Sequence, residues 1–364
     1  MSDSDRPVGF GGTDAPLAAL HDVALLDLDG VVYVGPHAVP NAAESLDAAL
    51  ARFGMRSAFV TNNAARPPGV VAEHLTSLGI HAEPSEVVIS AQAGARVLTE
   101  RLAPGSRVLA VGGPGVAWAL RERGLEPVDS FDEAPVAVMQ GYGPVVSWRE
   151  LAEASLAIAS GALWVATNMD RTIPTPRGRV LGNGAMVTAL QHATGVDPIV
   201  AGKPEPPLML ESVERSAART PLVVGDRLDT DIEGANRTGL PSLLVLTGVT
   251  DWIDLLGLPE LLRPTYLSHD LAGLLEPAPL VRVQLGSDTV LAQCGSMRVR
   301  VRTRVGTDDG AEQDRTWWLP PPAERPEADR PVDLDLVRAL VAVSWAARDA
   351  GVTITEPAEV DSAP

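Results

Sequence analysis

Val23-Ala24-Leu25-Leu26-Asp27-Leu28-Asp29-Gly30-Val31-Val32, near the N-terminus, is the stretch whose reading decides the fold. The apolar run before Asp27 has the unbroken hydrophobicity of a strand buried on both faces, as in the middle of a parallel sheet. Two carboxylates follow at its end, and residues i and i+2 of a strand start on the same side. Anions that close are tolerated where a cation sits between them, and an oxygen-rich pair of this kind suits Mg²⁺. The carboxyl end of a strand in an open α/β sheet is also where ligands bind. The same letters fit a tight β-hairpin over Leu26 to Val34, because Asp-Gly between apolar residues is a strong turn signal. A calcium loop does not fit, since its twelfth position counted from Asp27 is Ala38, where a bidentate Glu is needed.

Outward from this stretch, the composition narrows the possibilities. A chain of 364 residues with 45% hydrophobic content is long enough for two or three domains with real cores. The formal net charge of −18 argues against nucleic acid or an anionic membrane as partner. It also sets a repulsive global field against any phosphorylated substrate, which local cations must overcome. Cys294 is the single cysteine, so no intramolecular disulfide forms and a reducing cytoplasm is expected. Residues 1–20, rich in Asp, Gly and Ser, read as a disordered tail rather than a signal peptide. The longest uncharged runs fall short of a membrane span. Among 29 Lys+Arg, Lys203 is the only lysine. An ammonium is a compact point charge that a guanidinium does not imitate at a tight site, so Lys203 points to chemistry.

The chain then alternates strand and helix. An amphipathic helix over Asn41 to Phe53, stopped by Gly54, leads to a strand Arg56 to Val60 that runs into Thr61-Asn62-Asn63. Thr61 and Asn62 offer neutral donors for an oxyanion. The alternation restarts after Leu98, and Ser147 with Glu150 forms a capping box for a helix to Ser160. Gly112-Gly113-Pro114-Gly115 is read as a strand-to-helix turn, because Trp118 stands where a dinucleotide loop needs its third glycine. A short strand Ile199 to Ala201 ends at Gly202-Lys203-Pro204, and a buried strand Leu222 to Val224 ends in Gly225-Asp226-Arg227-Leu228-Asp229-Thr230-Asp231. About 140 residues separate Thr61 from Lys203, too many for a loop, so an inserted domain is expected. From Pro277 the pattern changes. Met297 to Val305 alternates, with Arg298, Arg300, Arg302 and Arg304 on one face, read as a charged strand face that discourages edge pairing. Residues 306–331 read as a loop anchored by Trp317 and Trp318, followed by an amphipathic helix Asp333 to Ala350.

Four polar clusters therefore stand at the ends of four apolar strands: Asp27/Asp29, Thr61/Asn62, Lys203 and Asp226/Asp231. Phosphoryl transfer through an aspartyl phosphate needs such a set: a carboxylate nucleophile, a second carboxyl for proton transfer, a divalent cation, and fixed donors with an ammonium for the equatorial oxygens.

The order Asp-x-Asp-Gly-Val, Thr-Asn-Asn, Gly-Lys-Pro, Gly-Asp-Arg-x-x-Thr-Asp resembles the haloacid dehalogenase superfamily of phosphatases. The insert, with Gly161-Ala162-Leu163-Trp164-Val165-Ala166-Thr167-Asn168-Met169-Asp170 and Gly182-Asn183-Gly184, is similar to the cap of its NagD/phosphoglycolate-phosphatase-like branch. The resemblance runs from about residue 22 to 272. It implies an α/β fold: a Rossmann-like parallel-sheet core (21–84 and 200–274), an inserted α/β cap of the C2 type (85–199) and, outside the match, a small α+β C-terminal domain (277–364). It further implies Asp27 as nucleophile and Mg²⁺ ligand, and Asp29 as general acid/base that lends the metal its backbone carbonyl. Asp226 is implied as the third protein ligand, with Asp231 a ligand through water or beside the site and Asp229 supporting at best. Thr61 and Asn62 are to hold the phosphoryl group, and Lys203 to screen nucleophile and phosphate. Asp170, Arg171 and Asn183 are the cap's candidate specificity contacts, while Gln140-Gly141-Tyr142-Gly143 lacks the branch's acidic residue. The C-terminal strands and helix are weakly reminiscent of an acetyltransferase but have no pyrophosphate loop. They are read as a non-catalytic lobe, structural or regulatory, packing on the core or forming a homo-oligomer contact.

The expected activity is Mg²⁺-dependent hydrolysis of a small phosphomonoester. By resemblance the order of substrates is glycerol 3-phosphate, then 2-phosphoglycolate, then pyridoxal phosphate. Two other classes share the motifs: a non-catalytic sensor of a phosphometabolite, and a phosphomutase or phosphotransferase that passes the aspartyl phosphate to an alcohol. The intact Asp27/Asp29/Lys203/Asp226 set weighs against the sensor.

Overall fold

The computed structural model describes residues 9–175, 177–305, 318–319 and 333–362. Its central sheet has six parallel strands in the order Tyr266–Ser268, Ser242–Val245, Pro221–Gly225, Val23–Leu26, Arg56–Thr61, Val87–Ile89. Val23–Leu26 lies inside this sheet with all four residues buried, Leu26 standing beside Val224 and Phe59. That position explains an apolar run without alternation, since both faces of a parallel sheet are covered. The hairpin over Leu26 to Val34 does not form. The chain leaves the strand at Asp27, turns through Leu28 to Tyr33 with a single bridge between Asp29 and Tyr33, and Tyr33–Val34 pairs with His37–Ala38. Because neighbouring strands are parallel and in register, Asp27, Thr61 and Asp226 all emerge at one carboxyl edge.

A second parallel sheet occupies the insert, in the order Ile199–Val200, Leu163–Ala166, Ala137–Gln140, Arg107–Val111, Glu126–Val128. The helix Trp148–Ala159 starts at Ser147 in the expected capping box. Two boundaries move relative to the sequence reading. Val87–Ile89, expected in the cap, extends the core sheet at its edge beside Arg56–Thr61. Ile199–Val200, expected to end a core strand at Lys203, instead pairs with Leu163–Ala166 of the cap sheet. A two-residue strand carries no pattern that says which sheet it joins. Lys203 thus stands where the chain crosses back from cap to core.

The C-terminal lobe is an antiparallel sheet of Val281–Leu285, Thr289–Cys294 and Met297–Val305, with Val352–Ile354 and Glu359–Ser362 both pairing to the last of these. The helix Leu334–Asp349 covers one face, over Val290, Ala292, Cys294, Val299 and Val301. Arg300, Arg302 and Arg304 are exposed on the other, where Arg300 and Arg302 reach Glu359 and Glu356 at 4.0 and 3.5 Å. Trp318 is buried in the lobe's core, whereas Trp317 lies outside the described residues. The tail expected to be disordered is packed from residue 9 onward: Phe10, Leu17 and Ala18 are buried, and the Phe10 ring lies 4.9 Å from that of Trp345. Its Gly and Asp residues masked a few apolar anchors that have a surface to bury against. No helix among the described residues is long and apolar enough to cross a membrane.

Core and cap are joined by a buried ionic bridge. Glu211, on the core helix Pro206–Ser216, is fully buried and takes Arg96 at 3.4 Å, Arg123 of the cap helix region at 2.5 Å, and Arg215. Arg215 in turn pairs with Glu122 of the cap helix Pro114–Glu122 at 2.8 Å. Removing one partner of a buried ion pair costs about 3–5 kcal/mol, less where the stranded charges reach water, as these arginines do. Glu211→Gln is therefore expected to lower stability by about 2 kcal/mol in urea unfolding. An unchanged midpoint would show that the bridge carries no part of the core–cap contact.

Candidate active site

The polar groups at the carboxyl edge converge on one ammonium. Lys203 is 4% exposed, and its Nζ donates to Asp27 Oδ1 at 2.5 Å and to Asp231 Oδ1 at 2.6 Å. Burial alone would depress the lysine, but the two carboxylates hold it above its ordinary value, so it stays charged. Asp27 is pushed well up by burial and by Asp231 and Asp226, with Lys203 opposing. Asp226, fully buried, is raised to about 6, by burial first and then by Asp231.

The residues fit a hard divalent cation. Asp27, Asp226 and Asp231 each bring a carboxylate oxygen within 4.8 Å of the others. Asp226 Oδ2 accepts the Val249 N–H at 2.7 Å, while its Oδ1 is buried with no hydrogen-bond partner. A buried anionic oxygen left without a donor is costly unless a cation is to face it. Asp231 has both oxygens engaged, Oδ1 by Lys203 and Oδ2 by the Arg227 N–H at 3.2 Å. The Asp29 carboxylate stands apart from this group on the wall of the cavity, raised by burial against the opposing charges of Arg66, Lys203 and His74.

The cavity, about 190 Å³, is bounded below by Asp27, Asp29, Thr61 and Lys203 and above by cap residues Tyr142, Asp170, Thr172 and Ile173. Asn62 spans the two. Its Oδ1 accepts the Lys203 N–H at 2.8 Å, and its Nδ2 donates to the Lys203 carbonyl at 3.1 Å and to Asp170 Oδ1 at 3.4 Å. The Asn62 side chain is thus occupied in fixing the lysine's backbone. The Asn62 carbonyl, in turn, accepts from Asn168 Nδ2 at 2.7 Å and Ser90 Oγ at 2.6 Å.

The three cap candidates separate. Asp170 lines the cavity, its carboxyl raised by burial and opposed by Arg227. Arg171 is exposed and not on the cavity wall. Asn183 is fully buried and donates to the carbonyls of Asn168, at 2.8 Å, and Gln140, at 3.4 Å. It braces the Asn168 loop from behind instead of meeting a ligand, because a polar residue at a helix start between two glycines looks alike from sequence in either role. Arg227, Asn63, Thr230 and Val249 also line the cavity, the first three inside the quoted motifs but with no role read from the sequence. Arg227 lies within the fourth motif and holds Asp229 in a two-point pair at 3.0 and 2.8 Å. Val249 follows the strand Ser242–Val245 in a Thr-Gly-Val-Thr run, and the strand-end rule that located the other clusters applies there too.

Family models of haloacid dehalogenase-like hydrolases match residues 24–126 and 200–274. The D-glycerol 3-phosphate phosphatase of Mycobacterium tuberculosis is 51% identical over 267 residues, 73% of this chain and 74% of that protein. The chain belongs to the haloacid dehalogenase-like hydrolases. The acid sugar phosphatase of Staphylococcus aureus is 37% identical over 249 residues, 68% of this chain and 94% of its own. The crystal structure of a glycerol phosphate phosphatase from M. tuberculosis in complex with magnesium superposes with a TM-score of 0.75 at 43% identity, covering 92% of this chain and 93% of that one. An overlap of that length includes the C-terminal lobe.

A metal held by Asp226 would need it ionised, so protons would compete with the cation below its raised value of about 6. Apparent Mg²⁺ affinity is expected to fall about tenfold between pH 7 and pH 5, read by calorimetric titration. An affinity flat over that range would mean that Asp226 does not titrate against the metal.

Proposed function

We propose that the protein hydrolyses glycerol 3-phosphate to glycerol and phosphate through a phosphorylated Asp27. It is a phosphoric monoester hydrolase that uses Mg²⁺. The observation that carries the mechanism is the buried ammonium of Lys203 between Asp27 and Asp231, with the unpartnered Asp226 Oδ1 beside it.

Asp27 and Asp226 would hold Mg²⁺ directly, with Asp29 contributing its backbone carbonyl and Asp231, its oxygens already engaged, contributing from behind. The ion would neutralise charge between nucleophile and phosphate. Lys203 keeps Asp27 ionised and oriented, and it offers positive charge to the phosphoryl oxygens. The Thr61 side chain lies at the floor of the cavity, where it supports the same oxygens. An Asp27 oxygen attacks phosphorus as the alkoxide leaves. Asp29, whose raised carboxyl retains a proton more readily than an ordinary one, gives that proton to the leaving oxygen. Ionised in turn, it takes a proton from the water that cleaves the acyl phosphate.

The leaving group meets a wall of Asp170, Thr172, Tyr142 and Arg227. The Asp170 carboxyl accepts from Asn62 at 3.4 Å, and the guanidinium of Arg227 is already paired with Asp229. A neutral diol can donate to Asp170, whereas the carboxylate of 2-phosphoglycolate would face it across a short distance in a poorly solvated site. The small cavity likewise disfavours the ring of pyridoxal phosphate. The M. tuberculosis relative supports the same choice of substrate.

Phosphate release across glycerol 3-phosphate, 2-phosphoglycolate and pyridoxal 5′-phosphate, with Mg²⁺ or EDTA, tests this. Glycerol 3-phosphate is expected to give the highest kcat/KM, with loss in EDTA and a decrease of roughly 10³-fold or more in Asp27→Asn. Asp170→Ala is expected to raise the KM for glycerol 3-phosphate by about 10-fold or more, the worth of a hydrogen bond to a charged group, with a smaller effect on 4-nitrophenyl phosphate. Faster turnover of phosphoglycolate would sink the substrate assignment. Full activity in Asp27→Asn would sink the mechanism.

A further inference from the structure

The C-terminal helix Leu334–Asp349 reaches beyond its own sheet. Trp345, 1% exposed, donates its indole N–H to the carbonyl of Leu255 at 2.7 Å. Ser344 Oγ accepts the Gly257 N–H at 3.1 Å, and Arg348 donates to the Gly257 carbonyl at 2.8 Å. Arg263 closes the contact, paired twice with Asp349 at 2.7 Å while its guanidinium lies 5.1 Å from the Trp345 ring. One helix therefore fixes the main chain of residues 255–257 and anchors residue 263.

The same segment begins in the active site. Thr247 Oγ1 donates to the Gly30 carbonyl at 2.6 Å, the Val249 N–H to Asp226 Oδ2 at 2.7 Å, and the Thr250 N–H to the Asp226 carbonyl at 3.3 Å. Gly248 lies so close over the Asp226 carboxylate that any side chain there would collide with it. Five residues separate Val249 from Leu255, and most of them form the single turn Trp252–Leu255, in which Trp252 and Leu255 are buried. A connection that short and that packed leaves little slack between its two ends. The Val249 N–H fixes Oδ2 of Asp226 and, through the planar carboxylate, the direction of the unpartnered Oδ1.

We propose that the C-terminal helix positions the Asp226 carboxylate, and with it the divalent-cation site, by holding residues 247–257 through Trp345 and Ser344. The proposal rests on Asp226 being a metal ligand. It assigns Trp345 a positioning role at a site it does not touch.

The test uses the full chain. Trp345→Phe keeps an aromatic side chain but removes the indole N–H together with the five-membered ring, leaving the buried Leu255 carbonyl unpaired and a small gap in the core. Ser344→Ala removes the acceptor for Gly257. Val301→Ala is the control: it opens the apolar core beneath the helix, where Val301 is 1% exposed, and leaves every hydrogen bond from the helix to residues 255–257 in place. Calcium and magnesium binding are measured by calorimetry, amide exchange at Val249 and Thr250 by mass spectrometry, and KM at saturating metal by phosphate release. Trp345→Phe and Ser344→Ala are expected to weaken metal binding about 3–10-fold, below the 10–100-fold typical of groups that contact a ligand directly. Exchange at Val249 and Thr250 should quicken while KM at saturating metal stays unchanged. Val301→Ala should lower the melting temperature and leave metal affinity within about twofold. Unchanged metal affinity in both helix variants, or an equal loss in Val301→Ala, overturns the proposal. Asp226→Asn tests the underlying assignment separately: undiminished metal binding there would remove Asp226 as a ligand, whatever the helix variants do.

Discussion

A single buried ammonium between two carboxylates is the interaction on which the rest of this structure depends. Asp27, Asp231 and Lys203 carry one net negative charge in a site shielded from water, and Asp226 adds a second. Burying any of these alone would cost several kcal/mol. Together they are tolerable because each carboxylate has a fixed partner, except at the one oxygen that faces a place for a cation. The arrangement holds only if strands carrying Asp27 and Asp226 are neighbours and Lys203 returns to their common edge. Sheet order and domain insertion are both conditions for the site. Asn62 adds a further constraint, since its side chain grips both the N–H and the carbonyl of Lys203. The crossing from cap to core is fixed at the residue that does the electrostatic work.

Much of this was legible because the site lies at strand ends, and strands buried on both faces announce themselves by unbroken apolar runs. Leu25-Leu26 before Asp27 and Val223-Val224 before Asp226 are such runs, and their register in the sheet follows from adjacency. Ile199–Val200 was misplaced for the converse reason: two residues have no periodicity, and either sheet offers an edge. Phe10 and Leu17 were hidden by the Gly and Asp around them, although both end up buried. Asn183 shows a different limit. Its amide satisfies two carbonyls behind the cavity, a role that depends on which way one helix start faces and leaves no trace in composition.

The acidity of the chain makes its handling of phosphate a local matter. With a net charge of −18, attraction for a phosphorylated substrate has to come from the few cations at the cavity. Lys203 is neutralised by its two aspartates and Arg227 by Asp229, so neither is a free positive charge. The balance shifts only when a divalent ion joins the carboxylates. Substrate binding and metal binding are therefore linked through charge, and a second anionic group on the substrate would find Lys203 and Arg227 already paired. A leaving group without charge adds nothing to that balance.

The C-terminal lobe, outside the sequence motifs, is joined to that balance by its hydrophobic core. Ile232, one residue past Asp231, and Leu244, on the strand next to Asp226, belong to the same apolar cluster as Trp345, Leu340 and Val299. A lobe attached by a linker would leave these residues to be covered by something else. Here the lobe's helix completes the packing of the loop that carries the fourth motif, and the N-terminal Phe10 closes the same cluster from the other end of the chain. Two regions that read as accessory are, in packing terms, the support of the edge that carries Asp226 and Asp231. The lobe meets the Asp226 side of the site through the helix's hydrogen bonds to residues 255–257, while the Lys203 side is held by the cap through Asn62.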